Sequence, residues 1–231
     1  MLMHTMSVEV TIKVSDGFAL AADSATTLTD SNGGVVNIYN NAVKVVNLYK
    51  GLPLGLMFWD AGAIGWSSMA NVAKDLRRLL TDGDPNDTSW KIDPSNYAMD
   101  DVADKVKRYF YDVRYKGACD TGQPEPFPSI GLYVCGFGTT DDLGREYEIS
   151  IQKDGSCDGP VELGPGSPQD TRAYASPDPV FRLMLGLSLE ATSILEGELG
   201  SKAQAEQLWN KLAAGMNAGF LNPAMPIKDA I

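Results

Sequence analysis

Residues 8–14 alternate strictly: Val8, Val10, Ile12 and Val14 fall on one side of an extended chain, and Glu9, Thr11 and Lys13 fall on the other. A period of two is incompatible with a helical stripe, so the segment predicts a strand. The Asp16-Gly17 pair that follows predicts a tight turn into a second strand ending at Asp23. Ser24 to Asn41, rich in Thr, Ser, Asn and Gly, predicts a long surface loop with Gly33-Gly34 at its tip. A further strand is expected over 42–48. One hydroxyl (Ser7), one carboxylate (Asp23) and one lysine (Lys44) are thereby placed on three neighbouring strand ends.

Composition narrows what such a cluster can do. The net charge of -11 and a sequence pI near 4.5 argue against nucleic acid or an anionic membrane as a partner, since both require a basic footprint. Partners are expected to be proteins or small molecules. His4 is the only histidine, which excludes Ser-His-Asp, Cys-His and multi-histidine zinc mechanisms unless the N-terminal segment supplies that imidazole. Cys119, Cys135 and Cys157 form no Cys-x-x-Cys spacing and fit a reducing, cytoplasmic setting. No metal and no cofactor is expected. No apolar run approaches the roughly 20 residues that span a bilayer, and Met1 to Met6 lacks the basic flank of a signal peptide. Residues 1–6 are expected to be a leader or an alternative start, because Met6-Ser7 would also serve as an initiator followed by a small residue.

The rest of the chain alternates between sheet and helix signals. Leu54 to Trp59 predicts a buried strand, and Ser67 caps a predicted helix with Met69, Val72, Leu76 and Leu79 or Leu80 on its apolar side. A second helix is expected over 100–115, with Val102, Val106, Tyr109, Phe110 and Val113 on one face. Its Lys105, Lys107, Arg108 and Arg114 read as a solvated face. Residues 117–128 read as a loop. Strands are expected over 130–137, 146–151, 159–163 and 171–175, the first three as an antiparallel meander. Helices are expected over 177–189, capped by Ser176 with Pro177 at the first position, and over 201–217, with Ala205, Leu208, Leu212 and Met216 apolar. Residues 225–231 read as the first turns of another. No repeat or linker divides the chain, and helices grouped apart from mainly antiparallel strands indicate an α+β fold. Two packed sheets with helices outside would satisfy every amphipathic face.

Ser7 to Asp23, the Lys44-Val-Val-Asn-Leu48 strand, Ala61-Gly62 before a helix, the Tyr147-Glu-Ile region and Met225 to Ile231 together resemble a proteasome β-subunit-type N-terminal-nucleophile hydrolase, particularly the bacterial proteasome-like members. The Asp-Gly-x-x-Leu-Ala-Ala-Asp element is the most specific part. The resemblance implies a four-layer αββα sandwich, two mainly antiparallel sheets between helix layers, in one domain spanning 7–231. It implies Ser7 as the nucleophile, Asp23 and Lys44 as its partners, and Gly62 as an oxyanion-hole amide. It further implies a peptide or unfolded-protein substrate and a homo-oligomer. The chain departs from the pattern at Ala25, where the family carries a basic residue. It also stops before the family's closing strands, which bring a supporting aspartate and serine, so the domain is expected to lack them.

Such a site needs no histidine. A serine that begins a chain can give its proton to its own α-amine, whose pKa lies near 8. An adjacent ammonium stabilises the alkoxide and keeps the amine neutral, and a carboxylate orients that ammonium. Lys44 shares a strand face with Val46 and Leu48, which suggests an inward lysine in need of a carboxylate. Taken without the resemblance, Ser7 also fits a polar residue before an edge strand, Asp23 a turn, and Gly62 a tight turn into a helix. Three functions remain open: a peptidase working through Ser7 after loss of residues 1–6, a catalytically silent structural subunit that forms rings or helical arrays, and a small-molecule amide hydrolase on the same fold.

Overall fold

A computed structural model of the chain describes residues 2–3, 7–29, 35–121, 128–216, 224 and 226. A two-residue strand, β1 (Leu2–Met3), precedes the alternating segment, which forms β2 (Val8–Val14) and turns into β3 (Gly17–Ala22) with Val14 opposite Gly17. The turn falls on Ser15-Asp16, one residue before the expected pair. Residues 24–41 are not a plain loop: they contain β4 (Thr26–Thr29) and β5 (Val35–Tyr39), paired antiparallel, with β1 on the other edge of β4. Val35, Val36, Ile38 and Tyr39 are all exposed, so neither face of β5 is buried and its sequence shows no in-out alternation. The Gly33-Gly34 tip lies outside the described residues.

The chain continues through β6 (Val45–Asn47), shorter than the expected 42–48, β7 (Leu54–Trp59) and a small hairpin of β8 (Ala63–Ile64) and β9 (Ser67–Ser68). Helix α1 (Met69–Asp82) is capped by Ser68, whose side chain accepts a hydrogen bond from Asn71 N at 3.3 Å. Ser67, the expected cap, is held in the hairpin. Past a short 3-10 turn (Thr88–Trp90) comes α2 (Met99–Lys107), which runs into a π-helical segment (Arg108–Tyr115) and then α3 (Lys116–Asp120). The expected single helix over 100–115 therefore extends to 120. The wider π turn changes its phase: Tyr115 is buried and Val113, expected on the apolar face, is exposed.

Strands β10 (Ile130–Gly136), β11 (Arg145–Ile151) and β12 (Cys157–Glu162) form the expected meander, and β13 (Asp170–Ala175) leaves it to pair with β2. Helix α4 (Asp178–Leu185) starts one residue late and stops short of 189, because Gly186 takes the left-handed conformation that closes a helix. Helices α5 (Ala191–Leu199), absent from the sequence expectation, and α6 (Lys202–Met216) follow. On α6, Ala205 is fully buried, but Leu208 and Leu212 are 37% and 36% exposed, so the expected apolar side is only partly covered. Apart from Pro226, residues 225–231 lie outside the described residues.

The result is an α+β fold in which, beside the β1-β4-β5 sheet and the β8-β9 hairpin, two antiparallel sheets pack together, ordered β12-β11-β10-β7-β6 and β13-β2-β3. Alternate residues of the larger sheet serve two cores. Leu54, Leu56, Phe58, Leu132, Val134 and Ile149 pack on Val72, Leu76 and Leu80 of α1 and on Val102 and Val106 of α2. Each such side chain contributes about 1.5–3 kcal/mol by leaving water. Met57, Trp59, Tyr133 and Cys135 on the opposite face meet Phe18, Leu20 and Tyr174 of the smaller sheet. Among the described residues no helix is long and apolar enough to cross a membrane.

The smaller sheet turns its polar side inward. Ser7, Glu9, Thr11 and Lys13 are 0%, 0%, 1% and 2% exposed, while Val8, Val10 and Ile12 are only half-buried. Burying charge is costly unless it is partnered, and the sheet interface supplies partners. Lys13 Nζ lies 3.6 Å from Glu146 Oε1, Tyr133 donates its hydroxyl to Glu146 Oε2 at 2.6 Å, and Arg172 Nε stands 3.7 Å from the same oxygen. This network pins β2 to β10, β11 and β13. Its upper end is the candidate site.

Candidate active site

Ser7 sits just before β2, where its carbonyl accepts a hydrogen bond from Ser176 N at 2.9 Å and the carbonyl of Val8 accepts one from Asp23 N at 3.1 Å. These two bonds fix the start of β2 between β13 and the end of β3. Lys44 stands just before β6 in the other sheet, and its carbonyl accepts from Phe58 N at 3.1 Å. The three ends therefore come from two packed sheets, not from neighbours in one sheet.

The side chains converge. Lys44 Nζ donates to Ser7 Oγ at 2.5 Å and to Asp23 Oδ1, and Lys44 is 6% exposed. Val46 and Leu48 are buried with it, so the inward lysine read from the strand pattern is found. Ser7, Asp23 and Lys44 are thus brought together. Gly62 is placed in the wall of a cleft of about 500 Å³ that Lys44 also lines, together with Trp59, Ser68 and Asn71. Its carbonyl accepts from Met69 N at 3.0 Å, which fixes the turn into α1. Among the described residues Gly62 makes no hydrogen bond with the other three. Ser7 itself is completely buried in this chain, behind Lys44.

Glu9 is the residue that the sequence reading missed. Its side chain is fully buried, with Oε1 3.4 Å from Lys44 Nζ and with Oε2 lacking a hydrogen-bond partner among the described residues. Strand parity carries the signal: Ser7, just before β2, and Glu9 on it are two apart in extended chain, so a Ser7 that faces Lys44 brings Glu9 to the same side. Burial pushes the Glu9 carboxyl up to about 7, against the pull of Lys44. Asp23 is one-third exposed and keeps part of its hydration. One ammonium thus lies between two carboxylates of unequal solvation.

The raised Glu9 pKa makes stability depend on pH. Between 4.5 and about 7 the folded chain holds a proton that the unfolded chain has released, so stability is present below that window and falls as pH rises through it. The loss amounts to about 3 kcal/mol for this group. Urea melts at pH 4.5 and pH 8 are expected to show that loss in the wild type and a smaller one in Glu9→Gln. Equal pH dependence in the two proteins would count against a native Glu9 that holds its proton.

Among the described residues, no group of three or more His, Cys, Asp or Glu side chains is placed to hold a metal ion. The arrangement offers a hydroxyl held by an ammonium, the geometry of nucleophilic acyl transfer without imidazole. No protein-family model matches the chain. No curated protein sequence matches it either.

Proposed function

We propose that the chain is a proteasome-like N-terminal-nucleophile hydrolase with the four-layer αββα architecture, cleaving peptide bonds with the Ser7 hydroxyl once residues 1–6 are removed. The observation that carries this reading is the 2.5 Å contact of Ser7 Oγ with a buried Lys44 that is itself held by Asp23. In the mature chain the Ser7 α-amine takes the hydroxyl proton as Oγ attacks the substrate carbonyl. The Lys44 ammonium stabilises the developing alkoxide, and Asp23 keeps that ammonium charged and oriented. A Gly62 amide that donates to the tetrahedral oxyanion supplies roughly 3 to 4 kcal/mol, as such donors do elsewhere. The leaving amine recovers the proton, and water then hydrolyses the ester on Ser7.

The cleft beside Lys44 is the proposed seat of an extended peptide or a segment of unfolded protein. The exposed Val35, Val36, Ile38 and Tyr39 on β5 support assembly with further copies of the chain. The cytoplasm is the proposed compartment. One observation favours a second reading: Ser7 is fully buried, and Leu2 and Met3 are paired with β4 just upstream of it. A chain that keeps this segment in its functional form is a silent structural subunit.

Reaction with a peptide vinyl sulfone separates the two. The catalytic reading expects labelling of the wild type and its loss, by at least about 10³-fold, in Ser7→Ala. Undiminished labelling of the variant would defeat the assignment.

A further inference from the structure

We infer that Glu9 is a positioning residue that turns Lys44 into a proton acceptor for Ser7, taking a proton from the Lys44 ammonium as Lys44 receives the one displaced from the Ser7 hydroxyl. The inference rests on Ser7 as the proposed nucleophile and gives its hydroxyl proton a route through Lys44 to Glu9 in place of the α-amine. Lys44 Nζ is the common neighbour: it donates to Ser7 Oγ at 2.5 Å and lies 3.4 Å from Glu9 Oε1. A second, wholly buried carboxylate changes the balance, because placing two negative charges around one ammonium leaves an excess charge that burial disfavours.

Glu9 fits the task better than Asp23 does. Asp23 is one-third exposed, and water stabilises its ionised form. Glu9 is shut between the sheets, and among the described residues its Oε2 has no hydrogen-bond partner. Among the described residues, the titratable groups facing it are Lys44, Asp23 beyond the end of β3, and Tyr174 directly opposite on β13. Burial holds the Tyr174 phenol well above its ordinary range, so it stays protonated and does not compete. Further down the same face, Lys13 and Arg172 are engaged by Glu146 and Asp170.

Protons and bonds balance along this route. A proton passes from Lys44 Nζ to Glu9 Oε1, the Ser7 hydroxyl proton passes to Lys44 Nζ, and the Oγ–carbon bond forms. On collapse the carbon–nitrogen bond breaks, the departing nitrogen takes a proton from Lys44, and Lys44 recovers one from Glu9. The step needs no free amine on Ser7. It requires Glu9 ionised at the start, so the rate is expected to rise as pH passes through about 7.

The test is the rate of labelling by a peptide vinyl sulfone, measured from pH 5 to 9 in wild type, Glu9→Gln, Glu9→Asp and Ser7→Ala. The wild type is expected to show a limb centred near 7. Glu9→Gln loses that limb and is about 10²-fold slower above it, whereas Glu9→Asp retains a displaced one. Wild-type rates and profile in Glu9→Gln, with Ser7→Ala unlabelled, overturn this inference alone. Unchanged labelling of Ser7→Ala overturns the nucleophile assignment beneath it. Should Glu9→Gln fail to fold, the wild type and Glu9→Asp decide: a flat profile, or limbs that coincide, counts against Glu9.

Discussion

Lys44→Met slows labelling of Ser7 by about 10³-fold and destabilises the fold in a pH-dependent way. Methionine keeps most of the buried stem, so the loss is electrostatic and not a cavity effect. Removing the ammonium takes away the donor to Ser7 Oγ and the counter-charge of an alkoxide, and single groups of this kind are worth about 10² to 10⁴ in rate. The structural cost falls on Glu9. Asp23 can rehydrate, but Glu9 is fully buried and loses the Lys44 cation beside it, so the variant is expected to lose about 3 kcal/mol at pH 8. The sign with pH is fixed. Without Lys44 the Glu9 pKa rises further above its ordinary value, the neutral acid needs no counter-charge, and the deficit shrinks as pH falls toward 5. Urea melts of both proteins at the two pH values measure this. A deficit that is equal at both would mean that Lys44 and Glu9 are not coupled.

Gly131→Ala is the second large effect, and it tests the packing that holds the site. Gly131 lies directly opposite Trp59 across β10 and β7, and a Cβ placed on it would stand 2.0 Å from Trp59 Cε2 and 2.3 Å from Cζ2. The indole cannot retreat freely, because its other face stacks on Tyr174 with centroids 4.3 Å apart. Tyr174 is the cross-strand neighbour of Glu9, and Trp59 lines the cleft, so displacement of the ring reaches both. A loss of about 3 kcal/mol is expected, at the upper end for an overpacked core. Gly117→Ala in α3 is the control, since nothing lies within 4 Å of its Cβ position and alanine favours the helix. If the two variants melt alike, the close Trp59–Gly131 packing does not hold in solution.

What the sequence disclosed follows from which signals need burial to be seen. The β2–β3 hairpin shows its alternation and α1 its apolar stripe, while β7 and β10, buried on both faces, read as short continuous apolar runs. Strand β5 is exposed on both faces, and its segment reads as part of a polar loop. The second helix was located by its apolar stripe, but the π turn that rotates Val113 out leaves no mark in composition. Helix α5 exposes Ile194 and Leu199, which blurs its stripe.

The site divides the same way. Ser7, Asp23 and Lys44 were reached through a motif and a lysine on an apolar strand face, and they lie together. Glu9 sat in plain view as the polar member of an alternating strand. Its partner Lys44 lies 35 residues away in sequence and in the other sheet, and its burial depends on a smaller sheet that turns its polar face inward. No local pattern encodes that partnership.

Peptide mapping of the chain after reaction with a peptide vinyl sulfone tests the role of Ser7 most directly. The predicted result is a mature chain that begins at Ser7 and carries one adduct on that residue, absent from Ser7→Ala. A functional chain that retains Met1 to Met6, or an adduct that persists at another residue in Ser7→Ala, contradicts it.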